Sequence, residues 1–273
     1  MLPRRFRNLR PYLASFVHSR FERPPLAEMA RWLFQPGKEQ RAAKYIESRE
    51  SQDGLLTFKF HGINEFFYYP ENASWIDLCE NIDVVFNPAN WHYFLSEGTP
   101  LTQEDTVVDC GAAEGLFTFF AARQARTVYA IEPIPAWHTA LSRTLSQFSN
   151  VELLKVGVGH RDGRVRMTDD DVRSRISASG GLEIPIRSLD SLFAEADIPI
   201  SFIKADIEGF EFPMLLGAEE LIRRQRPKIA VTVYHEVNHF AEIKDFLSNI
   251  HTDYRFRIRG MAENGNPILL QAF

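Results

Sequence analysis

The run Thr106-Val107-Val108-Asp109-Cys110 breaks into Gly111-Ala112-Ala113-Glu114-Gly115 and then into Leu116-Phe117-Thr118-Phe119-Phe120-Ala121-Ala122. β-Branched residues favour an extended strand, glycines a tight turn, and the apolar block behind them a helix. Strand, glycine turn and helix in that order place this stretch at the head of an α/β sheet. Ligands of such sheets sit outside the carboxyl ends of the strands, where the turn backbone and the helix N-terminus are open to them.

The turn reads Asp109-x-Gly111-x-Ala113-x-Gly115, whereas the dinucleotide fingerprint reads G-x-G-x-x-G. An acid replaces the first glycine. The pyrophosphate of a dinucleotide would be repelled by Asp109 and Glu114, but S-adenosylmethionine carries a sulfonium, an ammonium and no phosphate, so acidic neighbours favour it. Taken alone, a glycine loop fits equally well a strand-turn-helix junction that holds no ligand.

With 273 residues, 45% of them hydrophobic, the chain can bury one large α/β domain or a domain with an extension. Its net charge of -5 argues against general electrostatic binding to nucleic acid. Two cysteines, Cys79 and Cys110, supply neither a disulfide framework nor a thiolate metal cluster, and Cys110 reads as a core thiol. The basic start, Met1 to Arg10, precedes an apolar piece, Tyr12 to Val17, too short for a secretory or membrane-spanning segment. The expectation is a solvated arm on a cytoplasmic protein.

Leu26, Met29, Ala30 and Leu33 have helical spacing, ending near Pro36-Gly37. Leu55–Phe60 and Glu65–Tyr69 flank a glycine-containing turn and predict a β-hairpin. The aromatic stretch from Ser74 to Leu95 reads as helix and loop, and Gly98-Thr99-Pro100 punctuates its end. This divides the chain into an N-terminal extension, 1–100, comprising arm, helix and hairpin, and a main domain, 101–273. Beyond it, strands are predicted at 127–132, 151–156, 164–167, 201–206 and 228–234, interleaved with helices. Pro135 suits a first helical turn, Trp137 a core stripe, and Asp190 the cap of a short helix that follows it. The run Asp169-Asp170-Asp171 reads as a solvated loop, and Tyr254–Arg259 with Pro267–Phe273 as a closing hairpin.

Glu132 ends the second strand about twenty residues beyond Gly111, where a carboxylate can accept both hydroxyls of an adenosine ribose; a surface glutamate is the alternative. Asp206, Glu208 and His235 are expected at neighbouring strand ends. His235 suits a general base for a hydroxyl acceptor, with an ordinary pKa of about 6.5, or it hydrogen-bonds the adjoining loop. Glu208 and Gly209 either face the chemistry or cap and turn into the next helix. A divalent ion on Asp206 with His235 or Glu236 is the less favoured option, so the site is expected to be free of metal.

From about Asp105 onward the chain resembles the FkbM family of S-adenosylmethionine-dependent methyltransferases. The resemblance rests on Val107-Val108-Asp109-Cys110-Gly111-Ala112-Ala113-Glu114-Gly115, on Ile131-Glu132-Pro133, on Arg187-Ser188-Leu189-Asp190, and above all on Ile203-Lys204-Ala205-Asp206-Ile207-Glu208-Gly209-Phe210-Glu211 with Leu216-Gly217-Ala218 behind it. It implies a Rossmann-like seven-stranded sheet, mostly parallel with a terminal antiparallel strand, and methyl transfer to an oxygen of a small-molecule acceptor such as a sugar, glycolipid or natural product. Asp109, Gly111, Glu114 and Gly115 would line the methionine side of the cofactor and Glu132 its ribose, with Ala113 and Pro133 as contacts in the same motifs. His239 stands where one branch of the family often has an acid, and the closing hairpin matches poorly. A nicotinamide-dependent oxidoreductase and a non-catalytic cofactor-binding module remain as readings of other classes.

Overall fold

A computed structural model describes residues 35–167, 181–194, 197–262 and 265–273, together with Ala27. The basic arm, most of the helix expected over 26–33 and the acidic run 169–171 lie outside these residues. In chain order the elements are α1 (Lys38–Ala42), β1 (Ile46–Gln52), β2 (Leu55–Phe60), β3 (Phe67–Pro70), α2 (Trp75–Phe86), β4 (Thr106–Cys110), α3 (Leu116–Ala121), β5 (Thr127–Ile131), α4 (Pro135–Leu145) and β6 (Val151–Leu154). There follow β7 (Gly157–Val158), β8 (Gly163–Met167), β9 (Leu182–Arg187), a π-helical turn Asp190–Ala194, β10 (Phe202–Ala205), α5 (Glu211–Leu216), α6 (Glu219–Gln225), β11 (Lys228–Thr232), α7 (His239–Ile250), β12 (Phe256–Met261) and β13 (Pro267–Ala272).

Every residue of β4 is buried, as a central strand covered on both faces requires. It lies between β10 and β5 in a seven-stranded sheet of order β12-β13-β11-β10-β4-β5-β6. β13 pairs antiparallel with both neighbours, while the pairs from β11 to β6 are parallel. The expected mostly parallel sheet with its terminal antiparallel strand is therefore present. After β4 the chain winds outward through β5 and β6, and then returns to β10 on the other side. A crevice opens at the carboxyl ends of strands where the winding reverses in this way.

Two smaller sheets flank it, β1-β2-β3 and β7-β9-β8. β2 and β3 form the expected hairpin, with Phe58 opposite Phe67. β1 was not expected, because its sequence, IESRESQ, is polar and exposed throughout most of its length. It is an edge strand held by backbone pairing to β2, and the Asp53-Gly54 turn that joins the two has positive φ at both residues, 53° and 75°. Asp190 also departs from expectation: its carboxylate accepts from the backbone N–H of Glu220 and Leu221, so it caps α6 from a distance rather than a helix of its own.

One apolar core runs across the boundary drawn at residue 100. Phe58, Phe60, Phe67 and Leu78 share it with Val107, Leu116, Phe119 and Phe202, and the Phe119 ring packs against both Phe60 and Phe67. The segment after α2 is fastened to the closing hairpin. Arg259 donates to the carbonyls of Tyr93 and Pro88 at 3.1 and 2.7 Å, and Gln271 Nε2 donates to Phe94 O and Thr99 Oγ1. These bonds hold residues 88–99 against the closing hairpin, with His92 and Phe94 at the cavity. Among the described residues no helix is long and apolar enough to cross a membrane.

Candidate active site

A cavity of about 440 Å³ opens at the carboxyl ends of β4, β5, β10 and β11, with α2 as its roof. Its floor is the glycine turn. Gly111 has φ 77°, and a Cβ there would meet Asp206 O at 2.4 Å, so only glycine allows β4 and β10 to leave the sheet side by side. Ala113 holds a left-handed conformation without being glycine, φ 48°. Its N–H donates to Glu132 Oε2 at 2.7 Å, which offsets part of that strain.

Glu132 is almost fully buried, and its second oxygen, Oε1, accepts from Ile134 N at 2.7 Å. A carboxylate has about four acceptor positions, so both oxygens can still take a ligand hydroxyl. Glu114 is also buried and accepts from Asn81 Nδ2 of α2 at 2.8 Å. Burial pushes each carboxyl up to about 7, against the pull of these same hydrogen bonds. Pro133 lines the cavity beside them, and Trp137, a core residue as expected, also presents part of its ring to it. Gly115 begins α3 at φ 89° behind the turn.

Asp109 does not reach the cavity. It is fully buried, accepts from Thr118 Oγ1 at 2.6 Å and lies 2.9 Å from Lys204 Nζ, whose other bond goes to Gly111 O at 2.9 Å. Lys204, which sequence reasoning did not single out, lines the cavity and sits over the faces of Phe94 and Phe117. Cys110 packs in the core, where burial pushes its thiol well above the ordinary range.

Beyond β10 the chain turns through Glu208 and Gly209, with φ values of 55° and 101°. The group that holds this turn is Glu211, not Glu208. Glu211 Oε1 accepts from Ile207 N at 3.0 Å and Thr232 Oγ1 at 2.9 Å, and Oε2 accepts from Gly209 N at 3.0 Å. His235 Nδ1 lies 2.9 Å from Oε1 and His239 Nδ1 3.5 Å from Oε2. Burial raises the Glu211 carboxyl, but the two histidines and the backbone donors outweigh it and hold the group ionised, well below the ordinary range. The signal in the sequence was the repeated acid of Glu208-Gly209-Phe210-Glu211, of which the second member faces inward.

Glu211 fixes the His235 tautomer with the proton on Nδ1 and points Nε2 at Glu208 and Asp206, 3.6 and 3.9 Å away. Burial lowers the imidazole's pKa, yet Glu211, Asp206 and Glu208 together raise it above its ordinary value. Asp206 and Glu208 line the cavity with Tyr234 and His92, while His235 stands behind them. Among the described residues, Asp206, Glu211 and His235 bring potential ligand atoms within 4.8 Å of one another. The Glu211 oxygens are already committed to the backbone, Thr232 and the histidines, so this cluster is built as a hydrogen-bond network.

Residues 109–258 match the family profile described as the methyltransferase FkbM domain. No curated protein matches the chain. Among solved structures, methyltransferase FkbM from Methylobacillus flagellatus KT is similar at 25% identity and a TM-score of 0.53, over 66% of this chain and 46% of that one. The chain therefore spans less than half the length of that relative. TYW2 of M. jannaschii in complex with AdoMet aligns at 15% identity and a TM-score of 0.48, over 82% of this chain and 87% of that one. A rRNA methylase from Streptococcus thermophilus aligns at 19% identity and 0.42, over 63% and 87%.

Proposed function

The chain belongs to the FkbM methyltransferase family, and from that premise we propose that it transfers a methyl group from S-adenosylmethionine to a hydroxyl of a small-molecule acceptor such as a sugar or natural product. The charge of the cavity wall carries this reading. Asp77, Glu80, Asp206 and Glu208 line the cavity with Glu114 and Glu132, which ionise near pH 7; the lining ammonium, Lys204, is already paired with Asp109, and Lys38 of α1 reaches Glu80. Such a wall repels a pyrophosphate and favours a sulfonium and an ammonium. The same imbalance disfavours an acceptor that brings phosphates to the β10–β11 end.

S-adenosylmethionine supplies a methyl carbon on a positively charged sulfur, and the protein's part is alignment, charge and removal of a proton. Glu132 would receive the ribose hydroxyls, held in place by the Ala113 and Ile134 amides. Glu114 and the Gly111–Ala113 backbone would face the methionine moiety. Asp206 and Glu208 lie one strand further on, at the acceptor end. His235, held by Glu211 with a raised pKa, is charged over more of the neutral range than a free imidazole; this suits it to place a positive charge behind Asp206 and Glu208 rather than to take a proton. No step in this scheme requires a metal.

Thermal unfolding with added S-adenosylhomocysteine and, separately, NAD tests the cofactor, because a ligand that binds only the native state raises the melting temperature. Stabilisation by S-adenosylhomocysteine alone is expected. Stabilisation by NAD alone would replace the methyltransferase reading with an oxidoreductase, and stabilisation by neither would leave a module without this cofactor.

A further inference from the structure

His92 enters the cavity from the segment between α2 and β4, outside the residues that carry the family match. Its position is fixed at several points. The backbone N–H donates to Asn90 Oδ1 at 2.8 Å, the ring lies 5.3 Å from that of Tyr234, and the neighbouring Tyr93 and Phe94 carbonyls are held by Arg259 and Gln271 of the closing hairpin. Behind it, Gly260 at φ 62° leaves room for Trp91, whose Cβ a side chain there would meet at 2.6 Å. The backbone that carries the ring is thereby fixed at the cavity. Yet Nε2 is a buried atom with no hydrogen-bond partner among the described residues, a costly arrangement unless something else fills that place.

The order of the strand ends says what fills it. Glu132 follows β5, the glycine turn follows β4, Asp206 and Glu208 follow β10, and Tyr234 follows β11. A cofactor with its ribose on Glu132 and its methionine moiety over the glycine turn directs the rest of the cavity, toward β10 and β11, to the acceptor. His92 stands at that end, against Tyr234. Resting on the methyl-transfer reading above, we infer that His92 Nε2 receives the proton of the acceptor hydroxyl. The hydroxyl oxygen bonds to the methyl carbon while the carbon–sulfur bond breaks and its electron pair returns to sulfur, leaving the neutral thioether of S-adenosylhomocysteine. The proton passes to Nε2 and then to solvent.

A base must be uncharged before the step, and the surroundings of His92 meet that condition. Burial lowers its pKa, and His235 and Lys38 of α1 lower it further, against the opposing pull of Asp206 and of Glu80 from α2. His235 has the opposite setting, since its carboxylate partners raise its pKa. The two histidines therefore divide the roles, one charged behind Asp206 and Glu208 and bonded to Glu211, the other neutral and lining the acceptor end of the cavity.

Sinefungin, in which an amine-bearing carbon replaces the methylsulfonium, tests this without a known acceptor, because its ammonium lies where the methyl would be transferred. Calorimetry of sinefungin and S-adenosylhomocysteine with the whole chain, from pH 7.5 to 5.0, compares the two affinities at each pH. Their ratio cancels groups that act on the shared parts of the ligands. As His92 gains a proton, sinefungin is expected to weaken about tenfold relative to S-adenosylhomocysteine, the effect of a one-unit coupling between like charges. His92→Gln and His92→Asn should both abolish that dependence, with S-adenosylhomocysteine binding as the check that each is folded. A ratio that does not change with pH and is the same in His92→Gln as in the unmodified protein, or one that changes with pH equally in the unmodified protein and both variants, overturns the assignment of His92. Failure of the unmodified protein to bind S-adenosylhomocysteine at any pH overturns the methyl-transfer reading and the inference with it.

Discussion

Lys204 Nζ lies 2.9 Å from Asp109 Oδ1, and the same two residues are register partners between β10 and β4. The acid that distinguishes this glycine turn from a dinucleotide fingerprint is thus neutralised inside the sheet. The charge argument drawn from Asp109 passes to the residues that line the cavity. What Asp109 does for the site is indirect: it holds Lys204, and Lys204 holds the Gly111 carbonyl, so the turn keeps its path along the cavity floor.

Because this pair is buried, removing one partner leaves a charge without compensation, which typically costs about 3–5 kcal/mol. Asp109→Ala and Lys204→Ala are each expected to lose stability on that order in urea unfolding, and the double variant should lose less than the sum of the two. Losses within about 0.5 kcal/mol for either single variant, the span of ordinary surface substitutions, would show that the pair carries no such stabilisation.

Glu114 and Glu132, each pushed up to about 7 by burial, bind protons in the empty site near neutrality. In the ligand-free protein the native state therefore holds more protons than the unfolded chain between the ordinary carboxylate range and pH 7, so their contribution to stability falls as pH rises through that interval. A ligand ammonium and ribose hydroxyls favour the ionised forms and reverse this preference. Calorimetry of S-adenosylhomocysteine binding at pH 7 in buffers of different ionisation enthalpy should find proton release, up to about one proton in total with both groups near half occupancy, and affinity should fall as pH drops below 7. Glu132→Gln should diminish the release and weaken binding by about 1.5–3 kcal/mol, the range for hydrogen bonds to a charged group. Proton uptake, or no change in either quantity, would remove the two carboxyls from the cofactor site.

The parallel sheet was readable because its buried strands are apolar and β-branched and its turns carry glycine; the local sequence and the global fold agree there. β1 was not, since an edge strand with both faces in water needs no apolar pattern, although the Asp53-Gly54 turn was a sign of it. The site divides in the same manner. Gly111, Ala113, Glu114, Glu132 and Pro133 were legible because they follow the strands in sequence and bound the cavity. Lys204 and Glu211 were hidden inside a motif that was quoted for other residues, because a sequence does not say which of several neighbouring charges turns inward. His92 lies outside every motif, and only the docking of residues 88–99 on the closing hairpin brings it to the cavity.

The contact between Glu211 and His235 gives the last prediction. Glu211 has its pKa held down in the folded protein, so its contribution to stability is present above the ordinary carboxylate range and is lost as pH falls through its folded value. His235 has its pKa raised, so its contribution is complete below the ordinary imidazole pKa of about 6.5 and is lost as pH rises through the higher folded value. Stability from the pair is therefore greatest in the acidic to neutral interval between these limits. Glu211→Gln keeps the shape but removes the charge, leaving one of the Ile207 and Gly209 amides facing an NH2 donor instead of an acceptor and the imidazole without its anion. It is expected to cost about 3–5 kcal/mol, as for other broken buried pairs, and to bring the His235 pKa, followed by NMR of the ring, down toward or below 6.5. An unchanged imidazole titration in Glu211→Gln would mean that Asp206 and Glu208 alone set its charge, and would take from Glu211 its part in ordering the β10–β11 end of the cavity.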